Sequence, residues 1–240
     1  MEEYVEAALD KSLQEIIFLE HMEAGIEYFK RSWLTEQDFD YYFSEGERLQ
    51  KKYQKYIRIG IGVEVGYNPS GASELLQRLT QRRWSRIGIS NHYLHIAGRE
   101  QHLNLLGYTT QNRDLAVAIG TTFILEQYFA NLREAVIALP GTVLCHLDAA
   151  LRYVEDLQYT KKHLELVDSL LQAVKQKGMA IEINTSGIPG RGEPFPARSF
   201  LKRAIDFQIP LLAGSDAHTP KDVGRHFDIL ADYINSALSS

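Results

Sequence analysis

Residues 57–65 read IRIGIGVEV and describe one strand with two unlike faces. The odd positions, from Ile57 to Val65, are all β-branched, whereas the inner even positions are Gly60, Gly62 and Glu64. Strict alternation of this kind is typical of a β-strand. A β-branched face suits packing against helices, and glycines beside an acid suit the crowded interior of a barrel or cleft. The stretch therefore predicts a buried strand with one functional face.

Further strands and helices alternate on both sides of this stretch. Apolar segments with the length of strands cover residues 16–19, 86–92, 142–146, 179–184 and 211–216. Helical spacing covers residues 2–12, 35–53, 72–84, 115–139, 160–177, 197–207 and 220–237, so the chain opens on a helix. Regular alternation favours parallel strands joined by right-handed crossovers. We expect an α/β fold, a (β/α) barrel, built as a single domain over residues 1–240.

The bulk composition points to a small-molecule partner. The formal net charge is −5 with Lys and Arg scattered along the chain, so no patch for nucleic acid is predicted. The single cysteine, Cys145, excludes an internal disulfide and indicates a reducing compartment, with the cytoplasm as the expected location. No apolar run approaches the length of a membrane span, and no membrane partner is expected.

The predicted strands end in histidine or an acid. These residues are His21, Glu64, His92, His146, Asp216 and His218, with Glu182 and Asn184 close by. Active sites of α/β barrels are built at the carboxyl ends of their strands. A lone histidine of this kind is more often a core or capping residue, but the recurrence favours a shared site. Imidazole and carboxylate ligands together suit Zn²⁺, Mn²⁺ or Fe²⁺, so the sequence predicts a multinuclear metal site.

Hydrolysis of a phosphate ester is the reaction that such a site predicts. Paired divalent ions activate water and offset the charge of an in-line phosphoryl displacement. The substrate phosphate would need cationic partners. Arg191, in the glycine-rich loop 187–192, and Arg225 are the candidates, although either could be an ordinary surface arginine.

Seven short motifs together resemble the PHP superfamily of metal-dependent phosphoesterases, and in particular its histidinol-phosphatase branch. They are LEHM at 19–22, GVEV at 62–65, SNH at 90–92, HLD at 146–148, EINTSG at 182–187, GEPFP at 192–196 and GSDAH at 214–218. The resemblance covers nearly the whole chain. It implies a distorted (β/α)₇ TIM-like barrel with up to three divalent metals, and hydrolysis of L-histidinol phosphate in histidine biosynthesis.

The resemblance also implies roles for individual residues. Glu64, His92 and His146 would form one metal position, Glu64 and Asp216 would remain at a second, and His21 and His218 at a third. Glu64, Asp216 and His218 would be the catalytic residues, with Glu64 bridging ions and the other two holding or orienting metal. The substrate-binding candidates are Arg191, Arg225, Asn184 and Glu182.

One departure from the family pattern concerns the start of the chain. The family begins with a strand that carries His-x-His, and no histidine precedes His21 here. We therefore expect a barrel without its first strand, with at least one metal bound and weakened occupancy at two of three positions. We expect the sequence to begin at an internal methionine of a longer protein, rather than the lineage to have lost the strand.

The sequence leaves two alternatives open. The chain could be a catalytically impaired PHP-fold binding module, as the absent His-x-His strand suggests. It could also be a PHP phosphoesterase for another small phosphate ester. An unclosed barrel would expose strand edges, which proteins usually pair or cover, and a homo-oligomer is one such arrangement.

Overall fold

A curled six-stranded parallel sheet organises the chain, and a computed structural model describes residues 1–239. The sheet strands, in their spatial order, are β1 (Glu15–Glu23), β2 (Arg58–Gly66), β3 (Ile87–Ser90), β6 (Val143–Leu144), β7 (Ala180–Asn184) and β8 (Leu211–Gly214). A small antiparallel ribbon joins β4 (Tyr93–Leu94) to β5 (Leu103–Asn104). The predicted α/β class and the six strands are confirmed.

Nine helices connect or flank the strands in the described part of the chain. They are α1 (Glu2–Asp10), α2 (Glu36–Tyr53), α3 (Ala72–Thr80), α4 (Thr110–Ile119), α5 (Thr121–Ala138), α6 (Lys161–Gln176), α7 (Ile188–Arg191), α8 (Arg198–Asp206) and α9 (Leu230–Leu238). At the start of α2, the Thr35 hydroxyl accepts from the Asp38 N–H and the Asp38 carboxylate accepts from the Thr35 N–H. This capping box satisfies two backbone donors and sets the helix start.

Two predicted helices are divided in the structure. The helix expected over 115–139 is split into α4 and α5 at Gly120, whose φ of +106° lies outside the helical region. The helix expected over 220–237 is two short 3₁₀ turns, Pro220–Asp222 and Phe227–Ile229, followed by α9. Gly224, with φ +60°, separates the turns. Apolar spacing alone could not place these breaks.

The two faces of β2 are used as the alternation predicts. Ile61, Val63 and Val65 belong to the main hydrophobic core. Helix α2 lies directly against this face, because a Cβ atom at Gly46 would stand only 2.4 Å from Cδ1 of Ile61. Glu64 is on the opposite face, where it meets side chains from neighbouring strands. Packing of the helices thus leaves the glycine-and-acid face for the site.

The sheet is open between its two edge strands. Within residues 1–239, β1 and β8 are not hydrogen-bonded to one another. A cavity of about 450 Å³ lies between them, lined by residues of both strands. At one end, α1 lies near the Pro220–Asp222 turn, and the Lys11 ammonium donates to the carbonyl of Val223. The gap between β1 and β8 agrees with the expectation of a barrel that lacks one strand.

Taken one at a time, none of the helices in residues 1–239 is long and apolar enough to cross a bilayer, and α4 with α5 meets that measure only as a pair bent by 92°.

Candidate metal centre

Glu64 is at the middle of a buried cluster of histidines. Only 6% of the residue is exposed. Its Oε1 lies 2.9 Å from Nε2 of His92 and 2.8 Å from Nε2 of His146. The three side chains come from three adjacent strands or strand ends, so the parallel sheet brings together residues that are far apart in sequence. Their ligand atoms all lie within 4.8 Å of one another.

The electrostatics of this cluster favour positive charge beside Glu64. Burial alone would raise the pKa of Glu64, but the two facing imidazoles outweigh it and hold that pKa well below its usual range. Burial opposes protonation of His92, yet its hydrogen bonds to Glu23 and Glu64 raise its pKa to about 10. The pKa of His146 is raised in the same way, with the charge of Glu64 outweighing burial.

His146 is held in an unusual backbone conformation. Its φ is +23°, a left-handed value that a residue with a side chain rarely adopts, and such strain often accompanies functional sites. The Glu182 carboxylate accepts from the His146 N–H at 3.2 Å and from the Asn184 amide at 2.9 Å. Burial raises the pKa of Glu182 to about 7. A Cβ atom at Gly214 would lie 1.9 Å from Glu182 Oε1, so glycine supplies the space for this carboxylate.

The remaining predicted ligands border the open side of the sheet. The His21 ring stacks on His92 with centroids 4.7 Å apart, and its Nε2 is 3.9 Å from Oε2 of Glu64. Partial burial lowers the pKa of His21. Asp216 has φ +46° and accepts from the Ser186 hydroxyl at 3.1 Å. The side chain of His218 is 74% exposed, with Nδ1 3.0 Å from the carbonyl oxygen of Asp216.

The cavity between β1 and β8 gathers most of the predicted residues. Its lining includes His21, Glu64, Glu182, Asn184, Asp216 and His218. His92 and His146 reach the same region through Glu64. The structure therefore brings the eight strand-end candidates into one basin, with one part buried and the other open.

A second cavity, of about 370 Å³, carries the arginines. It is lined by Arg152, Arg191 and Arg225, and it shares Asp216 and His218 with the first cavity. Arg191 is braced, because its guanidinium contacts Asp148 at 2.9 Å and lies 3.9 Å from the ring centroid of Phe195. The Nε atoms of Arg152 and Arg225 are buried and have no hydrogen-bond partner among residues 1–239.

Two residues of this region were not predicted from the sequence. Glu23 is buried against His92, with its Oε1 2.6 Å from Nδ1. It stands two positions after His21 in β1, so the strand period of two places both on one face and could have revealed it. The strand was predicted to end near His21, and it continues to Glu23. Arg152 follows the His146–Asp148 segment in a loop without periodicity, and no sequence signal singled it out.

The donor set fits a divalent cation. Two imidazoles and a carboxylate converge in a buried space where positive charge is favoured, and this is the ligand chemistry of Zn²⁺ and related ions. A second group, His21, Glu23 and His92, also has its ligand atoms within 4.8 Å of one another. The buried Nδ1 of His146 and Oε2 of Glu23 have no partner in the described chain.

The fold and the site together define a class of protein: a parallel α/β sheet whose carboxyl-end residues gather into a candidate metal centre of histidines and carboxylates. Family models narrow this class to one family. The model described as PHP domain matches residues 1–186, and a model described as PHP-associated matches residues 198–238. The chain belongs to the PHP domain family, as its motifs predict.

Several relatives match nearly the whole length of the chain. The histidinol-phosphatase of Bacillus subtilis (strain 168) is 26% identical over 244 residues, which cover 95% of this chain and 90% of the relative. A Listeria monocytogenes structure provisionally described as the histidinol phosphatase HisK has a TM-score of 0.84 at 20% identity, covering 95% of this chain and 92% of that one. The Lactococcus lactis subsp. lactis Il1403 histidinol phosphate phosphatase, complexed with Zn, L-histidinol and phosphate, has a TM-score of 0.69 at 21% identity, covering 99% and 87%. The two structures confirm the fold.

Proposed function

We propose that this protein is a metal-dependent phosphatase that hydrolyses L-histidinol phosphate to histidinol and phosphate. The observation that carries the proposal is the buried cluster of Glu64, His92 and His146 beside an arginine-lined cavity that shares Asp216 and His218. The histidinol-phosphatase name of the Bacillus relative supports the reaction. The Lactococcus structure, with Zn, L-histidinol and phosphate, supports the metal and the substrate.

The metal positions follow from the two parts of the basin. Glu64, His92 and His146 would hold one divalent ion, and His21, Asp216 and His218 would contribute to further positions at the open side. Bound divalent ions lower the pKa of water and offset the charge that develops on a phosphoryl group. We propose Zn²⁺, Mn²⁺ or Fe²⁺, with at least one ion in the buried cluster, as the cofactor.

Arginines would bind the substrate phosphate in the adjoining cavity. The buried Nε donors of Arg152 and Arg225 are free to hydrogen-bond, and charge-assisted bonds from guanidinium to phosphate are strong. Arg191 lines the same cavity, but its guanidinium already donates to Asp148 and to the carbonyls of Glu193 and Pro194. It would therefore present a fixed positive charge on a rigid loop.

Glu182 and Asn184 act on the scaffold of the site as well as lining it. The Asn184 amide donates to Glu182, and its Oδ1 accepts from the Ser186 N–H at 2.9 Å. The contact from Glu182 to the His146 N–H holds the strained strand end in place. We propose that these two residues orient His146 and Asp216 while bordering the substrate.

The same proposal extends to partners and location. A net charge of −5 favours a small phosphate ester over nucleic acid. Action in the cytoplasm, independence of membranes and pairing of copies along the open sheet edge remain predictions of the sequence. So does the assignment of residues 1–240 to a single domain.

Phosphate release from purified protein tests the function. After chelation, the protein would be supplied separately with Zn²⁺, Mn²⁺ or Fe²⁺ and offered histidinol phosphate, other small monoesters and a diester. We expect metal-dependent release that is fastest with histidinol phosphate, abolished in His146→Ala and kept in the control His95→Ala, which changes an exposed histidine. Metal binding without release from any ester would favour the impaired binding module. Faster release from another ester would change the substrate.

A further inference from the structure

We propose that Glu23 is a positioning residue of the metal centre, which holds the His92 ring so that its Nε2 faces the cation. This inference rests on the proposed function and concerns the last residue of β1, two positions beyond the predicted ligand His21. Among residues 1–239, the Glu23 carboxylate hydrogen-bonds to one ring, that of His92. It acts on the metal through His92.

Two short contacts pin the His92 ring at opposite ends. Its Nδ1 is 2.6 Å from Oε1 of Glu23, and its Nε2 is 2.9 Å from Oε1 of Glu64. A carboxylate can only accept a hydrogen bond from a neutral or charged imidazole, so Nδ1 must carry the proton. Nε2 faces the Glu64 carboxylate and also donates there while no metal is bound. A cation between Nε2 and Glu64 would replace that proton, whereas Nδ1 would keep its own as the donor to Glu23. Carboxylates that orient ligating histidines in this way also raise ligand basicity.

The backbone is shaped to receive the Glu23 carboxylate. Glu23 pairs directly with Gly66 in the register of β1 with β2. A Cβ atom at Gly66 would lie 1.9 Å from Oε1 of Glu23, closer than any real contact. Only glycine at position 66 leaves room for the carboxylate beside His92. The pairing of β1 with β2 therefore leaves a space that this one side chain fills.

Burial of the Glu23 carboxylate lowers the stability of the fold unless the carboxylate has a partner. Glu23 is 2% exposed, and within residues 1–239 its Oε2 has no hydrogen-bond partner. Arg78 donates to the backbone carbonyl of Glu23 at 2.9 Å. A buried acceptor without a partner costs stability, so its placement against a metal-centre histidine favours a functional role over a structural one.

Three single variants test the assignment. Glu23→Gln keeps an acceptor oxygen but removes the charge, and Glu23→Ala removes both. Glu134→Gln is the matched control, because Glu134 accepts a single hydrogen bond from Tyr67 away from the histidines. Zinc affinity would be measured by competition with a chromophoric chelator. NMR of histidine-labelled, zinc-loaded protein would follow the Nδ1 proton of His92, which is protected from exchange only while it is hydrogen-bonded.

The expected results differ between the variants. Loss of an outer partner of a ligating histidine typically weakens metal binding ~10–100-fold, so we expect about 100-fold for Glu23→Ala and about tenfold for Glu23→Gln. The protected His92 proton should persist in Glu23→Gln, disappear in Glu23→Ala and be unaffected in Glu134→Gln. Unchanged zinc affinity and an unchanged proton signal in folded Glu23→Ala would overturn the assignment. If Glu23→Ala does not fold, Glu23→Gln decides by its zinc affinity alone.

This test is separate from the test of the reaction. If the Glu23 variants lose zinc affinity as expected while wild-type protein releases no phosphate, the positioning role stands and the phosphatase proposal fails. If wild-type protein hydrolyses histidinol phosphate while Glu23→Ala binds zinc normally, the phosphatase proposal stands and the positioning role fails.

Discussion

The two sides of the metal centre differ in how firmly they are built. On the closed side, Glu64, His92 and His146 are buried, lie within hydrogen-bond distance and are supported by central strands. On the open side, Asp216 follows an edge strand and the side chain of His218 is 74% exposed. Residues that the sequence presents as equal candidates therefore differ in pre-organisation. A ligand set that is ordered before binding gives higher affinity, because less conformational entropy is lost.

Removing the shared carboxylate should have the largest effect. We expect Glu64→Ala to reduce kcat/KM on the order of 1,000-fold or more, because loss of metal stabilisation worth several kcal/mol costs about tenfold per 1.4 kcal/mol. Zinc content measured by elemental analysis should fall in parallel. Retention of full zinc and activity would show that the closed side is not the primary position.

Changing the open side should separate activity from metal binding. In Asp216→Asn we expect kcat/KM to fall about 100-fold, which corresponds to about 2.7 kcal/mol of lost charge stabilisation, while one zinc per chain stays bound. Calorimetric zinc titration beside the phosphate assay would show the split. Complete loss of zinc in this variant would contradict the difference between the two sides.

The arginine cavity should affect substrate binding more than turnover. Arg152→Met keeps much of the side-chain length and removes the donors, and a hydrogen bond to a charged group contributes about 1.5–3 kcal/mol. We expect KM to rise about tenfold or more with kcat nearly unchanged, the pattern of lost uniform binding. Steady-state kinetics would measure both constants. A fall in kcat at constant KM would place Arg152 in the chemical step instead.

The smallest effect is the expected change in stability when His218, on the open side, is replaced. Because His218 is largely exposed, His218→Ala should change the free energy of unfolding by no more than about 0.5 kcal/mol. Its kcat/KM should still fall, by about tenfold or 1.4 kcal/mol, if the residue orients metal. Urea unfolding and the phosphate assay on the same preparation would check both. Normal activity would remove His218 from the catalytic set.

Regular patterns were the part of the fold that sequence could predict. Alternation over 57–65 predicted β2 and the use of its two faces, and the helical spacing over 35–53 predicted α2. The break at Gly120 was missed because the apolar spacing continues through it. The prediction of a strand over 142–146 was too long, since only Val143–Leu144 pair before His146 turns to positive φ.

Candidate site residues were predictable where a histidine or an acid stood at the end of a predicted strand. His92 and His146 were found in that way, and the structure places both on Glu64. Glu23 was missed because it lies beyond the predicted end of its strand, and Arg152 because its loop has no period. The roles of the predicted ligands remain proposals, which the variants above would test.

By itself the sequence determined the order of strands and helices, the family, and the residue types available for chemistry, because these depend on local periodicity and on short motifs. Only the tertiary structure decided which of those residues share a buried corner and which border an open edge. Distances such as the 2.6 Å between Glu23 and His92 arise from strand pairing and from the space left at Gly66, and both depend on contacts between residues far apart in the chain.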